Sequence, residues 1–308
     1  SSITAAIYWL SLALMIRSPV SRFLLAARSS QMRKDAPQRG KDSLPILWVG
    51  DAVTGSVTVT MKLDFYHWAA CPLNTEMLEL LQAYDHRLEI HTHDIAKQPG
   101  LAGALGMFYP TLTVVNDCHR YVAPLRREFL ERLCRGELPS ELPYRPALGR
   151  TPVTGTVLPI TKENVDLAGH CVGHGGCPGC RQKAALLREM GLSVYGFLHV
   201  QGNRLLGGAE YVPSVHAPYG IPRDPGKAFL TCVYLSDEAY DYKSAPLAAL
   251  EAYLAERYES ALVISDETGV FPNGDLAFFR QRGYQDLGVV AEEGSYCRLH
   301  LLEKQFHR

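Results

Sequence analysis

From Met61 onward, short apolar runs alternate with amphipathic stretches, and their periods assign the elements. Leu63 to His67 reads as a strand. Met77, Leu78, Leu80, Leu81 and Tyr84 recur at helical spacing and predict a helix over Asn74 to Tyr84. Arg87 to Ile95 alternates through Leu88, Ile90, Thr92 and Asp94, which predicts a second strand. Pro99 to Met107 predicts a short helix with Pro99 near its start. Leu112 to Val115 is β-rich and ends at the turn Asn116-Asp117, and Pro124 to Cys134 predicts a closing helix. The order over 61–136 is β-α-β-α-β-β-α.

Pro139, Pro143 and Pro146 crowd the next segment and predict a semi-rigid linker over 137–150. A second series follows over 151–308. Val153 to Leu158 is a strand, and Thr161 with Asn164 caps what comes after it. Arg181 to Met190 is a helix ended by Gly191. Val194 to Gln201 and Leu205 to Val212 form a hairpin across Gly202-Asn203. Ala228 to Ser236 is a strong strand, Pro246 to Arg257 a helix, and Ala261 to Ser265 a strand. Asp275 to Arg282 is a short helix, and Tyr296 to Glu303 is the last strand. Alternating strands and helices place the chain in the α/β class, with two domains.

Residues 1–60 break the pattern. Ile3 to Ile16 is mostly apolar but shorter than the roughly 20 residues that span a bilayer. Arg17, Arg22 and Arg28 follow, and Ser29 to Ser43 is polar without a period. The segment reads as sequence upstream of a start at Met61, with a targeting segment or an interfacial helix as the other readings. It is expected to lie outside the fold.

Composition narrows the partners. Of 308 residues, 47 % are apolar and 20 % charged, which excludes a disordered chain. The formal net charge is −1, so no positive field marks a nucleic-acid partner. A small-molecule substrate is expected, and no membrane partner for 61–308. The eight cysteines are unevenly spread, which argues against a disulfide framework and for a reducing, cytoplasmic setting.

The cysteines carry the candidate chemistry. Cys71-Pro72-Leu73-Asn74 opens a helix, where the dipole lowers a thiol pKa. Cys71 is then either a reactive single thiol or a buried structural one. His170, Cys171, His174, Cys177 and Cys180 form the densest cluster. Thiolate and imidazole at this density suit tetrahedral Zn²⁺. Cys177-Pro178-Gly179-Cys180 at a helix start also suits a reversible disulfide, the second reading. A glycine-rich loop with unpartnered thiols is the third reading.

Two stretches of the first series resemble the thioredoxin fold. Trp68 to Asn74 matches its active-site turn, and Pro110 in Tyr109-Pro110-Thr111 matches the cis-proline facing that turn. Asn74 stands where a second cysteine belongs, so the resemblance implies no local dithiol cycling. From Thr156 the chain resembles the GNAT superfamily of N-acetyltransferases, and most its YoaP-like branch, which pairs such a domain with a thioredoxin-like one. The likeness rests on Pro159 to Asp166, His170-Cys171, Gly208 to Pro213, Thr231 to Ser236 and Ala277 to Tyr284. In that branch the thioredoxin-like part comes last; here it comes first.

The resemblance implies a mixed central sheet and an acetyl-CoA or other acyl-CoA donor. It implies contacts to that donor from Val233 and Leu235, and a pyrophosphate loop at Lys243, Ser244 and Ala245. The loop lacks the family's glycines, and Pro246 and Asp241 stand in it. The resemblance further implies Glu210 as base. Phe279 replaces the usual tyrosine acid, which leaves Tyr284 or Tyr296, or the thiol of Cys297, for that role. The expected activity is N-acyl transfer to a small amine. The alternative is a non-catalytic redox- or metal-sensing protein, and the third a thiol oxidoreductase using Cys71 with Cys177 and Cys180.

Overall fold

The computed structural model describes residues 60–143, 145, 149–151, 155–172, 177–202, 204–235, 240–269 and 273–306. The apolar run before Met61 and His174 of the Cys/His cluster lie outside them. Val57 to Arg308 forms one compact unit holding two sheets.

The first sheet has the order β2-β1-β3-β4. β1 (Lys62–His67) runs parallel to β2 (Glu89–Asp94) and antiparallel to β3 (Thr111–Val115), and β4 (His119–Tyr121) closes the edge. β1 and β2 are joined by α1 (Leu73–Gln82), as a parallel pair requires a crossover. α2 (Leu101–Ala104) is shorter than its sequence predicts, because Gly100, at φ 84°, turns the chain just before it. α3 (Arg127–Cys134) covers one face through Leu130 and Leu133.

The second sheet has the order β10-β11-β9-β8-β7-β6-β5. Its strands are β5 (Thr156–Ile160), β6 (Gly196–Gln201), β7 (Arg204–Pro213), β8 (Lys227–Leu235), β9 (Ser260–Asp266), β10 (Gln285–Glu293) and β11 (Cys297–Gln305). Every pair is antiparallel except β8 with β9. The crossover between those two is α5 (Ser244–Ala255). α4 (Pro178–Glu189) precedes the hairpin and α6 (Leu276–Arg280) follows β9. β10 has no counterpart in the sequence reading. It is an edge strand of alternating half-burial, broken by Gly288 at φ 112°, so no apolar run announces it.

One core runs across both sheets. Trp68, Tyr109 and Leu112 pack in the same cluster as Tyr219, Phe229, Leu262 and Leu299. Trp68 meets the Tyr219 ring edge-on at 5.5 Å, and the Tyr109 hydroxyl hydrogen-bonds with Cys297 Sγ at 2.7 Å. At the rim, Arg120 donates to both carboxylate oxygens of Glu293, at 2.9 and 2.6 Å. The proline-rich segment is tied down as well. The Glu141 carboxylate accepts from Val122 N at 3.0 Å and Ala123 N at 2.8 Å.

Candidate functional site

Strands β8 and β9 pair only from Lys227 to Leu230 against Ser260 to Val263. Beyond that they diverge, β8 staying with β7 and β9 with β11. Asn273 sits in the fork. Its Oδ1 accepts from Val233 N at 3.0 Å, and its Nδ2 donates to Ile264 O at 2.8 Å. A side-chain amide thus completes backbone hydrogen bonding that the parting of the strands leaves open. α5 starts beneath the fork. Lys243, at its N-cap, donates from Nζ to Asn273 O at 3.1 Å and lies 3.8 Å from the Phe278 ring centre.

A cavity of about 560 Å³ opens beside this helix start, lined by Arg150, Asp241, Lys243, Asp275, Phe278 and Arg282, among others. The guanidinium of Arg282 stacks on Phe278 at 3.6 Å and donates to Ser244 Oγ. Burial pushes Lys243 down to about 8, against the pull of Asp275 and Asp241. Of the residues expected at a pyrophosphate, Lys243 lines this space, Ser244 meets it only through Arg282, and Ala245 is exposed in the first turn. The Ser244 amide is already taken by Asp241 Oδ1 at 3.0 Å. Val233 reaches the fork through its backbone N–H, and Leu235 ends β8 opposite Gly207.

The expected acid–base residues do not converge there. Glu210 is 1 % exposed and receives the Lys183 ammonium at 2.8 Å. Lys183 also donates to Ala168 O at 3.1 Å. A carboxylate that neutralises a buried ammonium is committed to that pair rather than to a ligand's proton. Burial lowers the Lys183 pKa, but Cys171 and Glu210 together carry it above its usual value. Tyr284 is buried among Leu254 and Phe279, and Tyr296 lies in the separate core shared with Tyr109 and Leu299.

A second centre forms where α1 and α4 begin. Cys71 has its thiol pushed up to about 12, chiefly by burial and next by Cys171, which outweigh the amides of Leu73 and Asn74. The expectation of a low-pKa thiol at this helix start is therefore corrected by desolvation. Asn74 closes the turn that a second cysteine would close. Its Nδ2 donates to Trp68 O at 2.6 Å and to Pro110 O at 3.0 Å, and Pro110 O also accepts from Trp68 N at 3.0 Å. Pro110 thus faces the Cys71 turn through its carbonyl.

The turn Cys177-Pro178-Gly179-Cys180 packs on this one. A Cβ built on Gly179 would lie 2.1 Å from Pro72 O, and Thr75 Oγ1 donates to Gln182 Oε1 at 3.0 Å. Gly179→Ala is expected to force the turns apart and cost about 1–3 kcal/mol, read as a lowered denaturant midpoint. An unchanged midpoint would mean the two turns are not in contact.

Cys177 and Cys180 form a disulfide. Sulfurs bonded to each other are not thiolate ligands, so the zinc expectation finds no support in this pair. Among the described residues, no group of three or more His, Cys, Asp or Glu side chains is arranged to hold a metal ion. His170 and Cys171 are half-buried in a 3₁₀ segment, Val165–Val172, that ends just before the undescribed residues 173–176.

Lys183, Asn273, Arg150 and Arg282 were not singled out by the sequence. Lys183 stands between Gln182 and Ala184 like any solvent-facing helical lysine, and no local signal marks it as buried. Among the described residues, no helix is long and apolar enough to cross a membrane.

No family model matches the chain, and no curated protein matches it. Solved structures similar to it include several acetyltransferases. An N-acetyltransferase from Staphylococcus aureus is 12 % identical, with 50 % of this chain and 100 % of that one covered at a TM-score of 0.37. An aminoglycoside 6′-N-acetyltransferase from Enterococcus faecium is 14 % identical, with 50 % and 98 % covered at 0.36. An aminoglycoside 6′-N-acetyltransferase complexed with coenzyme A gives the same figures, 14 % identity and 50 % and 98 % coverage at 0.36. At these identities and TM-scores the likenesses carry no residue roles across to this chain.

Proposed function

We propose that this chain is an acyl-CoA-dependent N-acyltransferase acting on a small amine, with the first sheet as an attached thioredoxin-like module. The observation that carries the transferase reading is the β8–β9 fork opening beside the cation-lined cavity at the start of α5. Lys243, Arg282 and Arg150 would hold the phosphates of the donor against Asp241 and Asp275, a surplus of one positive charge among these five. The Val233 amide, satisfied by a carboxamide, suits an amide-bearing ligand arm. Coenzyme A brings such amides, and its acyl thioester supplies the group to be transferred. The β2-β1-β3-β4 order and the Asn74–Pro110 contact support the thioredoxin-like reading of the first sheet.

Calorimetric titration of acetyl-CoA into the full chain tests this. Micromolar binding is expected, lost in Lys243→Glu. Lys243 is an ammonium below about pH 8 and an amine above it. Affinity is therefore full at pH 7 and falls as the pH rises through that value, by about tenfold for one charged contact. Lys243→Met should flatten this profile. No heat at millimolar ligand would sink the transferase reading.

A further inference from the structure

The Cys177–Cys180 pair is asymmetric. Cys177 is the N-cap of α4 and is partly exposed, whereas Cys180 is 3 % exposed. Cys180 N donates to Cys177 Sγ at 3.1 Å, so a backbone N–H and the helix dipole both favour negative charge on Cys177. The pair has further thiol chemistry behind it. Cys180 Sγ lies 3.1 Å from Gly169 O, and Cys171 Sγ lies 3.9 Å from the same oxygen. The buried Lys183 ammonium sits 3.9 Å from Cys171 Sγ. On the other side the turn rests on Pro72, next to Cys71. None of this belongs to the fork or its cavity.

We propose that Cys177 and Cys180 form a thiol–disulfide exchange site that oxidises small dithiols, with Cys171 as a reserve partner for Cys180. A thiolate of the dithiol attacks Cys177 Sγ, the partly exposed sulfur. The Cys177–Cys180 bond breaks, and Cys180 leaves with the electron pair and takes a proton. The second thiolate of the substrate then attacks its own sulfur in the mixed disulfide. That step closes the substrate's disulfide and releases Cys177 as a thiolate facing Cys180 N. The substrate loses two electrons and two protons; the cysteine pair gains both electrons, Cys180 takes one proton, and the other is left in solvent while Cys177 remains a thiolate. The reverse step, with the oxidised dithiol, restores the protein disulfide.

The test uses the full native chain and dithiothreitol as probe, and involves no acyl donor, so it stands or falls apart from the transferase reading. The protein is equilibrated at graded ratios of reduced to oxidised dithiothreitol, acid-quenched, alkylated and mapped by mass spectrometry. Cys177 and Cys180 should become alkylatable together, following the first power of that ratio, while Cys71 and Cys232 stay reduced throughout. In Cys177→Ser under oxidising ratios, Cys180 should appear disulfide-linked to Cys171. Alkylation of Cys177 and Cys180 at every ratio would overturn the proposal. So would a disulfide that resists dithiothreitol until the chain is unfolded, since it would then be structural. A free Cys180 in Cys177→Ser would overturn the role given to Cys171.

Discussion

Substituting Lys183 by Met is expected to destabilise the protein by about 3–5 kcal/mol, read as a lowered denaturant midpoint at unchanged slope. Both partners of the Lys183–Glu210 pair are 1 % exposed. Removing the ammonium strands a carboxylate where water does not reach it, and the cost is the carboxylate's lost solvation. Glu210→Leu alone strands the ammonium and should cost a similar amount. The two changes together should recover most of the loss, because an apolar pair of similar volume needs no charge compensation. A double variant as unstable as the sum of the singles would mean the two groups do not compensate each other. Either single change also removes a charge felt by Cys171, since Lys183 holds that thiol's pKa down against burial while Glu210 raises it.

Asn273→Ala is expected to move stability and ligand affinity in opposite directions. The carboxamide satisfies Val233 N and Ile264 O, so its loss leaves two buried backbone groups short of partners and costs about 1–3 kcal/mol. An amide-bearing ligand entering the fork must first displace that carboxamide. With the carboxamide gone, the displacement cost vanishes, and acetyl-CoA should bind about tenfold more tightly for roughly 1.4 kcal/mol recovered. Thermal unfolding and calorimetry on the same variant check both signs. Weaker binding with lower stability would show that the fork is a structural seam and not the place where a ligand arm lies.

Much of the fold follows from short-range pattern. The strong strands β8 and β9 and the helices α1, α4 and α5 announce themselves by apolar period, because each buries a continuous face. β10 does not, since an edge strand half open to water needs no apolar run. The candidate site is less legible for a different reason. The helix-start rule that favours a thiolate at Cys71 is a local rule, and burial from distant segments overrides it. Glu210 reads as a free base until Lys183, 27 residues away, is seen to meet it. Asn273 acts through two backbone groups on different strands, a relation that exists only after the sheet has formed. The Cys177–Cys180 spacing, by contrast, was readable at once, and what the fold adds is the set of neighbours behind it.

The contact of Tyr109 with Cys297 joins positions 188 residues apart. Tyr109 belongs to the loop entering β3, and Cys297 opens the last strand of the chain. During synthesis the first sheet therefore emerges long before the apolar surface that covers Trp68 and Tyr109 exists. Such far-separated closure slows folding relative to a chain of local contacts. Until the second sheet has been made, the nascent chain carries an uncovered aromatic patch, the kind of surface that chaperones hold and proteases find.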